Sequence, residues 1–323
     1  MAIMGFGGGA LIASPASNAL LGIFDSGFNP DDKDAVANGA ALSSTFLTLG
    51  IIYTVFMLIG AALVRVPPGH AEDETAVQQP GKNGALVSAS KAIRTPQFAF
   101  LWIVLFCNVT AGIGILEQAA PMIQDFFRSG SGDSSVSAAE AAGFVGILSL
   151  ANMAGRFLWS TVSDYIGRKP TYMLYLGVGL GLYALLATIG SSSVAVFAII
   201  ASVIISYYGG GFATVPAYLK DLFGTLEVGA IHGRLLTAWA AAGIAGPLIV
   251  NKILDAAGEP GSLVAGDYSL ALWTMVGVLA VGFVANLMIR PVAEKHFDEQ
   301  AVRDEAGDAG EEEAAMSKGG STS

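Results

Sequence analysis

Charge is scarce in this chain. Only 13% of its 323 residues are Asp, Glu, Lys or Arg, while 53% are hydrophobic. A soluble domain carries roughly 25% charged residues. The shortage, with a mean hydropathy of +0.60, excludes an ordinary soluble globule and places the chain among membrane proteins. Cysteine is scarcer still: Cys107 is alone in an apolar run, so no internal disulfide is possible. Three histidines, His70, His232 and His296, stand far apart. No metal centre and no other cofactor is expected from so few ligands. The H-E-x-x-H and G-x-S-x-G patterns are absent, as is a phosphate-binding loop, so neither an enzyme nor a nucleotide-driven pump is expected. Basic residues number 16 against 26 acids, for a net charge of −10. A nucleic-acid partner is excluded, because no basic face exists to neutralise phosphates. The acids collect around 25–34, 72–74 and 294–313, which reads as solvated loops and tail. The N-terminus lacks the basic start of a signal peptide.

What is abundant is long apolar sequence. Eight stretches are long enough to span a bilayer as helices: 1–24, 43–64, 96–117, 138–163, 170–189, 194–218, 228–254 and 269–289. The fold class is therefore an all-α membrane protein in contact with the lipid bilayer. With the N-terminus inside, eleven basic residues fall in inner loops and tail and three, Lys33, Arg128 and Lys252, in outer loops. That bias puts both termini in the cytoplasm of a multi-pass protein of the cell membrane. The break at 65–95 holds prolines, glycines and mixed charge and reads as a flexible cytoplasmic linker. The acidic segment 291–323 reads as a disordered tail.

Glycine runs at 7–9 and 209–211 lack the Lys-Ser/Thr of a phosphate loop. In lipid, such runs let helix backbones approach closely. Pro15, Pro121, Pro216 and Pro247 lie in or near spans and are expected to kink or end them.

Arg156 stands out. It precedes Asp164 by eight residues, about 12 Å along a helix, which brings it close to the centre of a hydrocarbon core about 30 Å thick. An arginine there is costly unless it faces a polar cavity or a partner, so a functional role competes with a buried structural pair. Asn152 lies one turn away on the same face. Asn152, Asn108, Tyr207, Tyr208 and Tyr218 could bond a substrate or bridge helices. Glu117, deep in an apolar run, and His232 are the candidate proton carriers; a vestibule or structural role competes for each. Arg234, about 10 Å into the seventh span, could line an inner exit or pair with an acid such as Asp221.

The segment from Gly155 to Lys169 ends in D-x-x-G-R-K, between two spans. This pattern resembles the helix-linking loop of the major facilitator superfamily. Five phrases, MGFGGGALIASP at 4–15, RTPQFAFLWIVLFCNVTAGIGIL at 94–116, NMAGRFLWSTVSDYIGRK at 152–169, YGGGFATVPAYLKDLFG at 208–224 and VGAIHGRLLTAWAAAG at 228–243, together resemble its oxalate/formate antiporter family. That resemblance implies twelve helices in two halves, of which the eight here match the fifth to twelfth. Residues 1–64 then hold the last two helices of the first half, 65–95 the linker, 96–290 the six-helix second half and 291–323 the tail. A chain shortened at its N-terminus is expected, whether a fragment, a start codon placed too far downstream or a truncated gene.

The resemblance further implies secondary transport of small organic anions by alternating access, through exchange or with a proton as a second partner. Arg156 takes the place of an arginine that pairs with the dicarboxylate. Where the family's exchanger has a second cation, a lysine, this chain has Trp239. One cation suits a monocarboxylate better than oxalate, and an indole could cover the substrate's apolar end or serve in packing. Asp164, Gly167, Arg168 and Lys169 are expected to act as a conformational latch. The rival reading is a non-transporting membrane fragment or partner subunit.

Overall fold

The computed structural model describes residues 2–29, 37–64, 79–82, 84–128, 134–259 and 261–298, and for 2–6 the backbone alone. The acidic stretch 72–74, His70 and the tail from 299 lie outside the described residues. Among those described, the architecture is helical and no strand forms beyond one isolated bridge between Arg128 and Ser134. The helices are α1 (Ala2–Phe24), α2 (Gly39–Leu63), α3 (Ala89–Ala92), α4 (Pro96–Glu117), α5 (Ala119–Phe126), α6 (Ala138–Ile166), α7 (Arg168–Ile189), α8 (Val194–Phe223), α9 (Val228–Leu235), α10 (Thr237–Ala257) and α11 (Ser269–Met288). Eight segments, with α9 and α10 counted as one, are long and apolar enough to cross a membrane. The chain is a multi-pass α-helical membrane protein.

Local chemistry sets where the helices start. The Asn38 Oδ1 accepts the Ala41 N–H at 2.8 Å, and the Thr95 Oγ1 accepts that of Phe98 at 3.2 Å with Pro96 in the first turn. Ser137 and Glu140 close a reciprocal capping box on α6. Each satisfies an N–H that the first helical turn leaves free. The α6–α7 connection is a single residue, Gly167, at φ +89°. That left-handed conformation favours glycine. In the α1–α2 connection, the N–H groups of Asn38 and Gly27 bond the Asp25 carboxylate at 3.0 Å each and hold its pKa below the ordinary carboxylate value.

The core is a bundle in which α6 packs on α8, α7 on α11, and α4 on both α10 and α11. α1 lies along α6, and α2 packs chiefly on α1. Glycine decides how close α6 and α8 come. A side chain at Gly155 would run into the Ser206 backbone, one at Gly209 into the Asn152 carbonyl, and one at Gly210 would meet Trp159 Cβ and Tyr175 Oη at 2.7 Å. The run 209–211 is a packing surface among these helices. Since the Ser206 backbone cannot step aside, Gly155→Ala should lower stability by about 1–3 kcal/mol, read as an earlier thermal unfolding transition in detergent. An unchanged transition would count against this close approach.

Several details differ from the sequence expectation. The seventh span is divided at Leu236 into α9 and α10, and a short α5 follows α4 after a break at Gln118. Pro15, Pro216 and Pro247 end nothing; α1, α8 and α10 run through them. In a packed bundle, neighbouring groups can compensate for the one ladder bond each removes.

The described part of the segment 65–95 is no free linker. Leu86 and Val87 are fully buried. The Val87 N–H donates to the Phe223 carbonyl at 3.0 Å, the Lys82 N–H to that of Asp221 at 3.0 Å, and the Asp298 N–H to that of Leu86 at 2.7 Å. Ala85, Leu86 and Val87 form a short apolar island in a polar stretch, and burying it on the end of α8 explains the difference.

Candidate functional site

Arg156 is 2% exposed, on the face of α6 that meets α1 and α8. The i, i+4 spacing predicted from sequence places Asn152 beside it, and the Arg156 Nε–H donates to the Asn152 Oδ1 at 3.0 Å. The guanidinium carbon lies 5.0 Å from the centre of the Phe212 ring, within the range of a cation–π contact. On the α1 side, a side chain at Gly7 would meet Arg156 Nε at 3.1 Å and the Met153 backbone at 3.0 Å. A buried guanidinium costs several kcal/mol in lost hydration. The bonded amide and the aromatic face offset part of that cost and fix the fork's direction.

Trp239 enters from α10. Its ring lies 4.5 Å from Phe212 and 5.6 Å from Tyr208. Arg156, with Asn152 beside it, and Trp239 thus both lie against Phe212. Tyr207 goes elsewhere. Its ring packs on Trp159 at 5.1 Å and Tyr175 at 5.6 Å. The residue beside it, Tyr208, faces Trp239 and sits within electrostatic reach of Arg156. One residue on a helix turns about 100°, so Tyr208 and Phe212, four apart, share the face that Tyr207 leaves. Nothing in the sequence singled out Phe212. The Y-G-G-G-F spacing was the available signal. Beyond Tyr208 lies a void of about 10 Å³ bordered by Asn108, Tyr175, Tyr207 and Tyr208. It is about large enough for a single water.

The latch candidates assemble at one end of the bundle. Arg168 pairs with Asp164, reaches Ser163 Oγ, and lies 3.9 Å from Asp221 Oδ2. Lys82 approaches the same Asp221 oxygen at 2.8 Å. The Lys169 ammonium donates to the carbonyls of Leu287 at 2.9 Å and Ile289 at 2.6 Å, where a cation offsets the negative end of α11. The Lys169 carbonyl accepts from Asn286 Nδ2, whose Oδ1 accepts from Tyr218. These contacts bring together ends of α6, α7, α8 and α11. Exposed ion pairs of this kind contribute about 0–1 kcal/mol each, so they can exchange partners readily.

Arg234 does not meet Asp221. Its Nη1 donates to the Ala230 carbonyl one turn back, at 3.1 Å. Asp221 is taken by cations whose loops fold onto α8, an arrangement that linear order hides. His232 is half-buried, and its Nε2 has no hydrogen-bond partner among the described residues. Glu117 is the exposed last residue of α4, within 3.4 Å of Asn251 Nδ2. It borders the opposite end of the bundle. There a cavity of about 320 Å³ is lined by Gln118, Asp125, Arg128, Asn251, Asp255 and Tyr268 among others.

The family model for the Major Facilitator Superfamily matches residues 1–247. The oxalate:formate antiporter of Oxalobacter formigenes is 26% identical over 210 residues, which cover 64% of this chain and 46% of that protein. An uncharacterised MFS-type transporter of Escherichia coli (strain K12), YhjX, is 24% identical over 192 residues, covering 59% and 45%. The chain spans about half the length of these curated relatives.

Proposed function

Since this chain belongs to the Major Facilitator Superfamily, we propose that it is a secondary transporter of small organic anions whose carboxylate is held by Arg156. The observation that carries the reading is the guanidinium itself, 2% exposed inside a membrane bundle and aimed by Asn152. Such a group offers fixed paired donors to a carboxylate and keeps its charge at any physiological pH. The wall of Phe212, Trp239 and Tyr208 beside it is apolar and aromatic. One guanidinium against that wall suits a monocarboxylate such as formate, lactate or pyruvate, with oxalate the alternative that its relative's name supplies.

The mechanism is alternating access. α1 and α2 act as part of one half and α4–α11 as the other, with Arg156 at their seam. Asp164, Arg168 and Lys169 close the cytoplasmic end, with Gly167 as the turn between them, and Arg234 lines the way out. Both termini face the cytoplasm and the membrane is the cell membrane. Exchange of two anions is the main mode; a proton carried through His232 or Glu117 is the alternative.

A second reading, a membrane component that needs further helices to carry solute, is favoured by α2. That helix leaves Phe46, Ile51, Phe56, Met57 and Leu58 exposed on several faces. One experiment separates the two. Purified protein is reconstituted in vesicles loaded with formate, and uptake of labelled oxalate, formate, lactate or pyruvate is compared with uptake into empty vesicles. Greater uptake into loaded vesicles is the result expected for an exchanger. Binding without uptake of any anion would favour the component reading, and no binding would overturn the role of Arg156.

A further inference from the structure

About two turns before Arg156 on α6, Ser149 is 2% exposed and reaches into the backbone of α1. Its hydroxyl donates to the Gly7 carbonyl at 2.8 Å and accepts the Leu11 N–H at 3.2 Å. Those two groups are the partners of one ordinary helical step, residue 11 to residue 7. The next step in the same row would run from residue 15 to the Leu11 carbonyl. Residue 15 is proline and has no N–H to give. In the row 7–11–15, Ser149 thus shares the groups of the first step and Pro15 removes the second, and both steps involve Leu11.

That row faces α6. Gly7 lies against Met153 and Arg156, a side chain at Gly8 would meet Met153 Sδ at 3.2 Å, and the Leu11 side chain lies against Gly146. In lipid, freeing a backbone N–H or C=O costs several kcal/mol unless another group takes it. A helix therefore bends most cheaply where a neighbour already holds the freed pair. We propose that α1 has a hinge at Leu11, and that Ser149 is the positioning residue that holds it open by bridging the Gly7–Leu11 step. The segment before the hinge stays on Met153 and Arg156, while the segment from Pro15 to Phe24 swings. The hinge does not rest on the transport reading; only its use in transport does.

The test needs no transport. Spin labels are placed on cysteines introduced at Ile23, exposed on α1, and Thr161, exposed on α6, with Cys107 changed to Ala. The hydrogen bonds run α1 antiparallel to α6, which separates the labels by roughly 36 Å along the axes at 1.5 Å per residue. Otherwise unchanged protein in lipid nanodiscs should give a broad or two-peaked distance distribution. Ser149→Ala leaves the Leu11 N–H to the Gly7 carbonyl alone, and a single narrow population is expected. Pro15→Ala restores the second step without touching any α1–α6 bond and should also narrow it. A distribution already narrow in the parent, or one left unchanged by both variants, overturns the hinge. Broadening in Ser149→Ala would also overturn it, since a simple staple between helices would loosen that way.

Discussion

Arg156→Gln should weaken carboxylate binding about 30-fold or more. A hydrogen bond to a charged group is worth about 1.5–3 kcal/mol, and each 1.4 kcal/mol is tenfold in affinity. Losing the charge-assisted pair from one carboxylate therefore accounts for the loss without any change elsewhere. Arg156→Lys should not rescue it. An ammonium keeps the charge but gives up the planar fork, and with it the Nε–H that Asn152 directs. Folding should survive, because a shorter polar side chain removes a buried charge rather than stranding one. The measurement is equilibrium binding of labelled oxalate and formate to purified protein, with thermal unfolding of the same samples. Unchanged affinity in a folded Gln variant would remove Arg156 from the site.

Asp125→Ala should be the most destabilising single change at the opposite end of the bundle. The carboxylate of Asp125 accepts from Arg128 Nη2 at 2.9 Å and from the Tyr268 hydroxyl at 2.7 Å. Arg128 Nε also donates to the Leu263 carbonyl at 3.2 Å. This network ties α5 to the segment entering α11. Side-chain exposure is 5% for Asp125 and 15% for Arg128, so water screens the pair little. Removing one partner leaves a largely buried guanidinium without that counter-charge, which costs about 3 kcal/mol or more. A fall in the unfolding midpoint on the order of 5 °C follows. Asp125→Asn also loses the charge, but it keeps one acceptor oxygen for Arg128 and an amide N–H that the Tyr268 hydroxyl can accept, so it should lose less. Equal losses in the two variants would show that the carboxylate's charge, rather than the shape and hydrogen bonds an amide retains, holds this corner.

The helices were legible because each needs an uninterrupted apolar stretch, and composition alone reveals that. Arg156 with Asn152 was legible for a related reason: a cost paid in mid-membrane and a one-turn spacing both lie along a single helix. Phe212 was not, since its contact with Arg156 crosses from α8 to α6 and no periodicity records that crossing. Tyr207 and Tyr208 look alike in the sequence, yet one residue along a helix is enough to face another helix. The division at Leu236 follows no proline or glycine at that point. Its neighbours Leu235 and Ala238 are buried, so packing rather than local preference accompanies the break. Arg234 with Asp221 failed because Lys82, far away in sequence, folds back onto the same carboxylate.

The packing of Leu86 and Val87 on the end of α8 bears on where a fragment holding α4–α11 can be cut. A polypeptide beginning at Pro96, the first residue of α4, would lack the cover over Phe223, the Lys82 partner of Asp221, and the Leu86 carbonyl and Lys91 that meet Asp298. It would also lose the backbone N–H that Ala89 gives to Glu227 at the start of α9. Expressed alone, that fragment should be soluble in detergent and monodisperse only when its first residue lies at or before Gln79, whose backbone and side chain already bond Thr225 and Lys220. A stable unit holding α4–α11 should therefore begin in this strap of packed chain, well before the helix it leads into.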